Sequence, residues 1–186
     1  GARRTGNPEL ARLGEQAYVY GLNHLLVIAA SVALVGAVAT LFYAEATRTF
    51  DLDVAVTLPA SGGPLLSLSP LYDWLAQRGF VPEGEHVRIH DVPVQFLSGD
   101  SPLWAEALTE AKVFDYEGTP VRVVSAEHLI AMICEAPTAR RRERAALLLE
   151  SGNVDRASAR EIAARHHLTI PASLHVGAPM SFRIAM

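Results

Sequence analysis

Apolar positions along the chain alternate between short continuous runs and helix-spaced stripes. The longest run, "LLVIAASVALVGAVATLF" from Leu25 to Phe42, carries no charge and is long enough for a bilayer span. Arg3, Arg4 and Arg12 before it and "AEA" after it would also suit a secretory signal. Three features weigh against both. The run is rich in Ala, Val, Ser, Thr and Gly, its apolar stretch is too long for a signal core, and Gly36 splits it into two segments sized for a buried core. It reads instead as the end of a helix spanning about residues 15 to 30, a short buried strand "VALVG", and a helical turn "AVATLFYAEA".

A strand "TRTFDLDVAV" follows, then a loop at "ASGGP". "SPLYDWLAQRGF" predicts a helix with Ser69 as N-cap, Pro70 at its first position and Gly79 as the stop. "HVRIHDVPVQFLSGD" holds two extended segments around Asp91, and Ser101 caps a helix over "SPLWAEALTEA". "KVFDYEGTPVRVVS" predicts a hairpin turning at Glu117-Gly118-Thr119-Pro120. Three helical stretches, "SAEHLIAMICEA", "ARRRERAALLLES" and "DRASAREIAARHH", come next, the last capped by Asp155; the tail after Thr169 shows no period. Strands interleaved with helices and including a hairpin give an α/β (α+β) class: a mixed sheet flanked by helices.

Alternation in the strand puts Phe50, Leu52, Val54 and Val56 on one face and Asp51, Asp53 and Ala55 on the other. Two close carboxylates repel and resist dehydration. A divalent cation between them relieves both effects, and ligation by oxygen alone suits Mg²⁺ or Mn²⁺ with substrate phosphates completing the shell. A solvated sheet face would tolerate the same pair. Half of the 186 residues are hydrophobic, so a sizeable core forms. A net charge of −4 excludes a generally basic nucleic-acid surface. The single cysteine, Cys134, sits in an apolar run and reads as a small buried hydrophobe of a reducing, cytoplasmic compartment.

The order of these motifs resembles the DNA polymerase beta superfamily of nucleotidyltransferases. More closely it resembles small bacterial members related to the AbiEii-type toxins of abortive-infection systems. "TFDLD", "VPVQFL", "GTPVRVVSAEHLIA" and "RRRERAALLLE" carry the resemblance, which spans about residues 25 to 150. It implies a glycine turn at Gly36 and Ala37 whose backbone N–H groups hold phosphates, with Arg48 and Thr49 beside it. It implies a metal pair at Asp51 and Asp53 holding Mg²⁺ (or Mn²⁺), and a nucleoside triphosphate (NTP) as substrate. A later strand of the family supplies a third carboxylate; here Gln95 stands there, flanked by Asp91 and Asp100. An amide is no general base.

Of the remaining polar residues, His86 and His90 read as solvated or structural, and His166 and His167 diverge too far on a helix to share a ligand. The arginines at 140, 141, 142 and 144 read as a solvated face, with phosphate contact as the functional alternative. The expected organisation is a flexible start (1–14), a nucleotidyltransferase core (15–124), a C-terminal helical segment (125–168) and an irregular tail (169–186). The expected activity moves a nucleoside monophosphate from NTP to a hydroxyl of tRNA, protein or a small molecule, without a membrane. The alternative is a catalytically impaired nucleotide-binding or toxin–antitoxin interaction protein, with an antitoxin as partner.

Overall fold

A computed structural model describes residues 31–44, 49, 51–58 and 68–170. The expected helix over residues 15 to 30, the loop at "ASGGP", Arg48 and the tail beyond Ile170 lie outside them. The described strands form one seven-stranded mixed sheet in the order β3-β4-β5-β2-β1-β7-β6. These are β1 (Ser31–Leu34), β2 (Leu52–Thr57), β3 (Pro82–Glu83), β4 (His86–Ile89), β5 (Val92–Ser98), β6 (Lys112–Tyr116) and β7 (Thr119–Val123). The aspartate-bearing β2 is the middle strand. It pairs antiparallel with β1 and parallel with β5. Leu52, Val54 and Val56 are buried on one face, and Ala55 on the other is fully buried too. Both faces are therefore covered, which suits a Val-rich strand.

Six helices are described: α1 (Gly36–Thr40), α2 (Ser69–Ala76), α3 (Pro102–Thr109), α4 (Ala126–Glu135), α5 (Ala139–Glu150) and α6 (Arg156–Arg165). Every residue of α4 from Ala126 to Cys134 is buried. A helix buried on all sides belongs in the middle of a domain, and this one includes the polar Glu127 and His128. Accordingly α4 packs against α1, α3, α5 and α6, and a single core cluster joins its apolar residues to those of the sheet. Cys134 is buried there, and burial raises its thiol pKa. No helix among the described residues is long and apolar enough to cross a membrane.

The caps expected at Ser101 and Asp155 are present, accepting bonds from Trp104 N and from Ala157 N and Ser158 N. Ser69 departs from expectation: it is the first helical residue, the N-cap is Leu68, and no side chain caps it. Pro70 supplies a helix-ready φ and has no N–H to satisfy, so the helix starts without a capping oxygen. Gly79 ends this segment as read, with φ +85°. The strand expected to run to Gly36 ends two residues earlier, at Leu34, and the helix expected from Ala37 starts one residue earlier, at Gly36.

Two hairpins close through two-residue turns with positive φ at both positions: His90 (47°) and Asp91 (67°), then Glu117 (50°) and Gly118 (83°). This is the turn whose twist matches paired strands. The second turn is thus shorter than the sequence suggested. Thr119 and Pro120 belong to β7, opposite Tyr116 and Asp115. Pro120 has no N–H to donate, but β1 reaches β7 only at Val123, so none is required there. The two-residue β3 was not foreseen; both its residues are exposed and carry no pattern.

Candidate functional site

Asp53 lies inside β2 and Asp51 in the bend just before it. Behind Asp53 runs the Val35–Gly36 turn. Val35 N donates to Asp53 O at 3.1 Å. Gly36 takes a φ of +65°, and a Cβ built there would stand 1.9 Å from Asp53 Oδ2 and 2.8 Å from its Cγ. The turn therefore needs glycine twice over, once for its left-handed backbone and once so that the carboxylate has room. Ala37 is buried in the first turn of α1, behind this contact.

Beside Asp53 runs β5. The parallel register places Gln95 directly opposite Asp53, so their side chains leave the same face of the sheet. Gln95 is the position where the family resemblance calls for a third acid. Asp91 lies in the β4–β5 turn before β5, where its carbonyl accepts from Arg88 Nη1 at 3.3 Å. Asp100 follows the other end of β5 and takes the Ser98 hydroxyl, remote in register from Asp53. Register alone removes Asp100 as a substitute for Gln95.

Asp51 is fixed locally. The buried Thr49 hydroxyl donates to Asp51 Oδ1 at 2.8 Å and approaches Asp51 O at 3.2 Å. The opposite carboxylate oxygen, Oδ2, faces His86 Nε2 at 3.8 Å. His86, read from the sequence as solvated or structural, thus faces Asp51 from β4, two strands from β2. His90 does not share its face, because it lies in the turn and packs edge-on to Phe80. A cavity of about 310 Å³ opens on the Asp51 side, lined by Asp51, Glu83, His86, Arg88, Pro93 and Arg140. Small-molecule pockets begin at about this volume.

Arg140, Arg141 and Arg142 are exposed, as a solvated helix face requires, and Arg144 departs from that reading. Arg140 reaches the cavity and Arg141 bonds the Ala136 carbonyl at 3.0 Å. Arg144 is partly buried, and its Nε has no hydrogen-bond partner among the described residues. Burial lowers its pKa, while the charges of Asp53 and Asp51 act the other way. Asp53 mirrors it. Burial first and the neighbouring Asp51 second raise its carboxyl above the ordinary range, against the weaker opposing pull of Arg144, Arg141 and His86. The site thus joins two carboxylates that repel one another to a guanidinium whose Nε has no partner among the described residues. A hard divalent cation with oxygen ligands fits the first, and a phosphate fits the second.

No protein-family model matches the sequence, and none of the curated proteins does. The fold does match solved structures. An antigenic nucleotidyltransferase-like protein from Paracoccidioides brasiliensis superposes with a TM-score of 0.53 at 14% identity, over 86% of this chain and 88% of that one. The antibiotic-resistance factor ANT(2″)-Ia, in solution, gives 0.53 at 15% identity over 87% and 93%. ANT(2″)-Ia crystallised with adenylyl-2″-tobramycin gives 0.51 at 15% identity over 86% and 97%. The chain has the nucleotidyltransferase-like fold.

Proposed function

We propose that the protein is a nucleotidyltransferase that takes an NTP and moves its nucleoside monophosphate to a hydroxyl. The observation that carries this reading is the packing of Asp53 against the Gly36 turn with Asp51 beside it, on the middle strand of this fold. Asp51 and Asp53 would hold Mg²⁺ (or Mn²⁺). A bound cation of this kind supplies charge neutralisation across phosphate oxygens. Thr49 keeps Asp51 aimed by its 2.8 Å bond. Backbone N–H groups at Gly36 and Ala37 would meet the phosphates, with Arg48 as a further cation. Arg144 and Arg140 offer positive charge to the triphosphate from α5. In the transfer, the acceptor oxygen bonds to the α-phosphorus as the bond to pyrophosphate breaks, and the hydroxyl proton must leave.

Gln95 bears on that last step. An amide opposite Asp53 accepts a hydrogen bond but takes no proton, so the hydroxyl would lose its proton to solvent or to a neighbour. This favours a second reading on the same scaffold, a catalytically impaired nucleotide-binding or toxin–antitoxin interaction protein with an antitoxin as partner. The kinship with AbiEii-type toxins rests on the order of sequence motifs alone. A cytoplasmic setting is inferred from the lone buried cysteine.

The acceptor class is approached from two sides. The family resemblance suggests tRNA or protein, and the adenylyl-2″-tobramycin found with ANT(2″)-Ia suggests a small polyhydroxylated molecule. The test is transfer of label from each of the four α-labelled NTPs to bulk tRNA, protein and tobramycin, with Mg²⁺ and NTP binding measured separately. Wild type should bind Mg²⁺-NTP and transfer slowly. Gln95→Asp should accelerate transfer, since general-base assistance is worth about 10²–10⁴-fold. Binding that survives Asp51→Asn and Asp53→Asn would overturn the assignment of both aspartates.

A further inference from the structure

Asp53 has different neighbours on its two sides. Towards β1 lies the Val35–Gly36 turn, and towards β5 lies Gln95. Paired residues of adjacent strands leave the same face of a sheet, as do residues two apart on one strand. Pro93 and Gln95 therefore share the face of Asp53, and Arg88 joins them opposite Pro93. His86, two residues from Arg88, and Glu83, paired with His86, carry the same surface across β4 and β3. The cavity of about 310 Å³ stands on that surface, with Arg140 lining it from α5. It lies across the aspartates from the glycine turn.

Building on the nucleotidyltransferase reading above, we propose that this cavity is the acceptor pocket, and that it takes a small hydroxyl compound carrying a phosphate group held by Arg88 and Arg140. In a phosphoryl displacement the attacking and leaving oxygens are roughly in line. With the triphosphate at the glycine turn, pyrophosphate leaves towards β1 and the acceptor enters from the β5 side, where the cavity is. The acceptor oxygen bonds to the α-phosphorus, the electron pair of the broken bond departs with pyrophosphate, and the hydroxyl proton passes to water.

The charges decide the class of acceptor. Both carboxylates of the lining are engaged: Asp51 between the Thr49 hydroxyl and His86, and Glu83 with Arg88 Nε at 3.4 Å. Arg88 has a second bond, from Nη1 to the Asp91 carbonyl at 3.3 Å, which steadies its guanidinium at the cavity. Arg140 begins α5 together with Arg141 and Arg142, where helices ordinarily carry acids and this one has none. Like charge at the positive end of a helix dipole costs stability, and an anion in front of it relieves the cost. A divalent cation on Asp51 and Asp53 would add to the positive sum. Paired guanidiniums suit a phosphate and repel a polycation such as tobramycin. The volume, at the lower end for small-molecule pockets, fits a sugar phosphate better than a larger acceptor.

The experiment measures binding and transfer apart. The full chain is titrated calorimetrically with ribose 5-phosphate, ribose, inorganic phosphate and tobramycin, without nucleotide and with a non-hydrolysable Mg²⁺-NTP. Transfer of label from α-labelled NTP is then followed to the same sugars, to tobramycin and to bulk tRNA. We expect ribose 5-phosphate to bind at least about tenfold tighter than ribose or tobramycin, and to be the preferred acceptor. Arg88→Gln should weaken it at least about tenfold, the loss of a charge-assisted hydrogen bond, and change Mg²⁺-NTP binding less than about twofold. Arg88→Glu should turn the preference towards tobramycin. The Arg88 side chain is 49% exposed, so neither change disturbs the core, and melting temperatures check this. Ribose 5-phosphate bound no better than ribose, its affinity unchanged in Arg88→Gln, or label reaching tRNA or tobramycin but no sugar phosphate would each overturn the pocket. Absence of Mg²⁺-NTP binding would overturn the transferase reading, while the nucleotide-free titrations still decide whether the cavity takes a phosphate.

Discussion

Asp53 and Glu106 are both carboxylates partly covered by protein, yet their surroundings push them in opposite directions. Asp53 has burial and Asp51 against it, and its pKa rises. For Glu106, burial also raises the pKa, but bonds from His166, Arg165 and His128 outweigh it and hold the carboxyl below the ordinary range. A carboxylate that the fold satisfies stabilises the chain. One that the fold leaves short of partners costs stability and waits for a ligand. The two differ in what completes them, and that separates a structural node from a candidate binding site.

The contrast is sharpest in the variants expected to have the largest effects. Asp53→Asn should cut nucleotide transfer by more than about a hundredfold, because metal-assisted charge neutralisation contributes several kcal/mol. The same change should raise the melting temperature at neutral pH. The folded protein holds the Asp53 proton more tightly than the unfolded chain does. Stability is therefore lost as pH rises from the unfolded value near 3.8 through the raised folded one, and stays low above it. The gain from Asn should vanish below pH 3.8 and shrink when Mg²⁺ is added to wild type. Calorimetry from pH 3 to pH 8 measures it, and a destabilised Asp53→Asn at neutral pH would break the comparison.

Gly36→Ala comes next, since it sets a methyl against the Asp53 carboxylate and forces a left-handed backbone on alanine. It should cost about 1–3 kcal/mol in chemical denaturation and weaken Mg²⁺-NTP binding in titration calorimetry. Glu106→Gln should destabilise by about 2 kcal/mol, the scale of hydrogen bonds to charged groups. Its pH dependence runs opposite to that of Asp53. The depressed carboxyl stabilises above the unfolded value near 4.5, and the contribution is lost as pH falls through the folded one. The urea midpoints of wild type and Glu106→Gln should therefore converge in acid. The smallest expected effect is that of Arg144→Met. Removing this cation should move the Asp53 carboxyl further upward in NMR titration and weaken NTP binding about tenfold or less.

Much of this was legible in the sequence, and the gaps have physical causes. The strand that carries Asp53 was read from alternation, although Asp51 falls in the bend before it, and the caps at Ser101 and Asp155 followed from local chemistry. His86 was missed because its neighbour Asp51 comes into reach only when β4, β5 and β2 lie side by side. No spacing along the chain encodes that order. Arg144 was named as one of four arginines with phosphate contact as the alternative, but a run of arginines reads as a wet helix face and does not single it out. Only the docking of α5, through Ala145, Leu148 and Leu149, shows which arginine is turned inward. Glu106 was missed for the same reason, its partners His128, Arg165 and His166 being distant in sequence. Gln95 was identified through motif order, and the β2–β5 register sets it opposite Asp53.

The parallel pairing of β2 with β5 also governs when the site comes into being. Asp53 meets Gln95 only after α2, β3 and β4 have been threaded past, and Arg144 arrives later still on α5. Such non-local pairings form slowly because a long loop must close before any contact rewards it. During synthesis at about 5–20 residues per second, the glycine turn and the first aspartates emerge early and remain inert for seconds. A chain interrupted before α5 carries both aspartates and lacks the arginines that face them. The charges that face one another across β2 and α5 are thus assembled only once α5 has been made, in step with closure of the core.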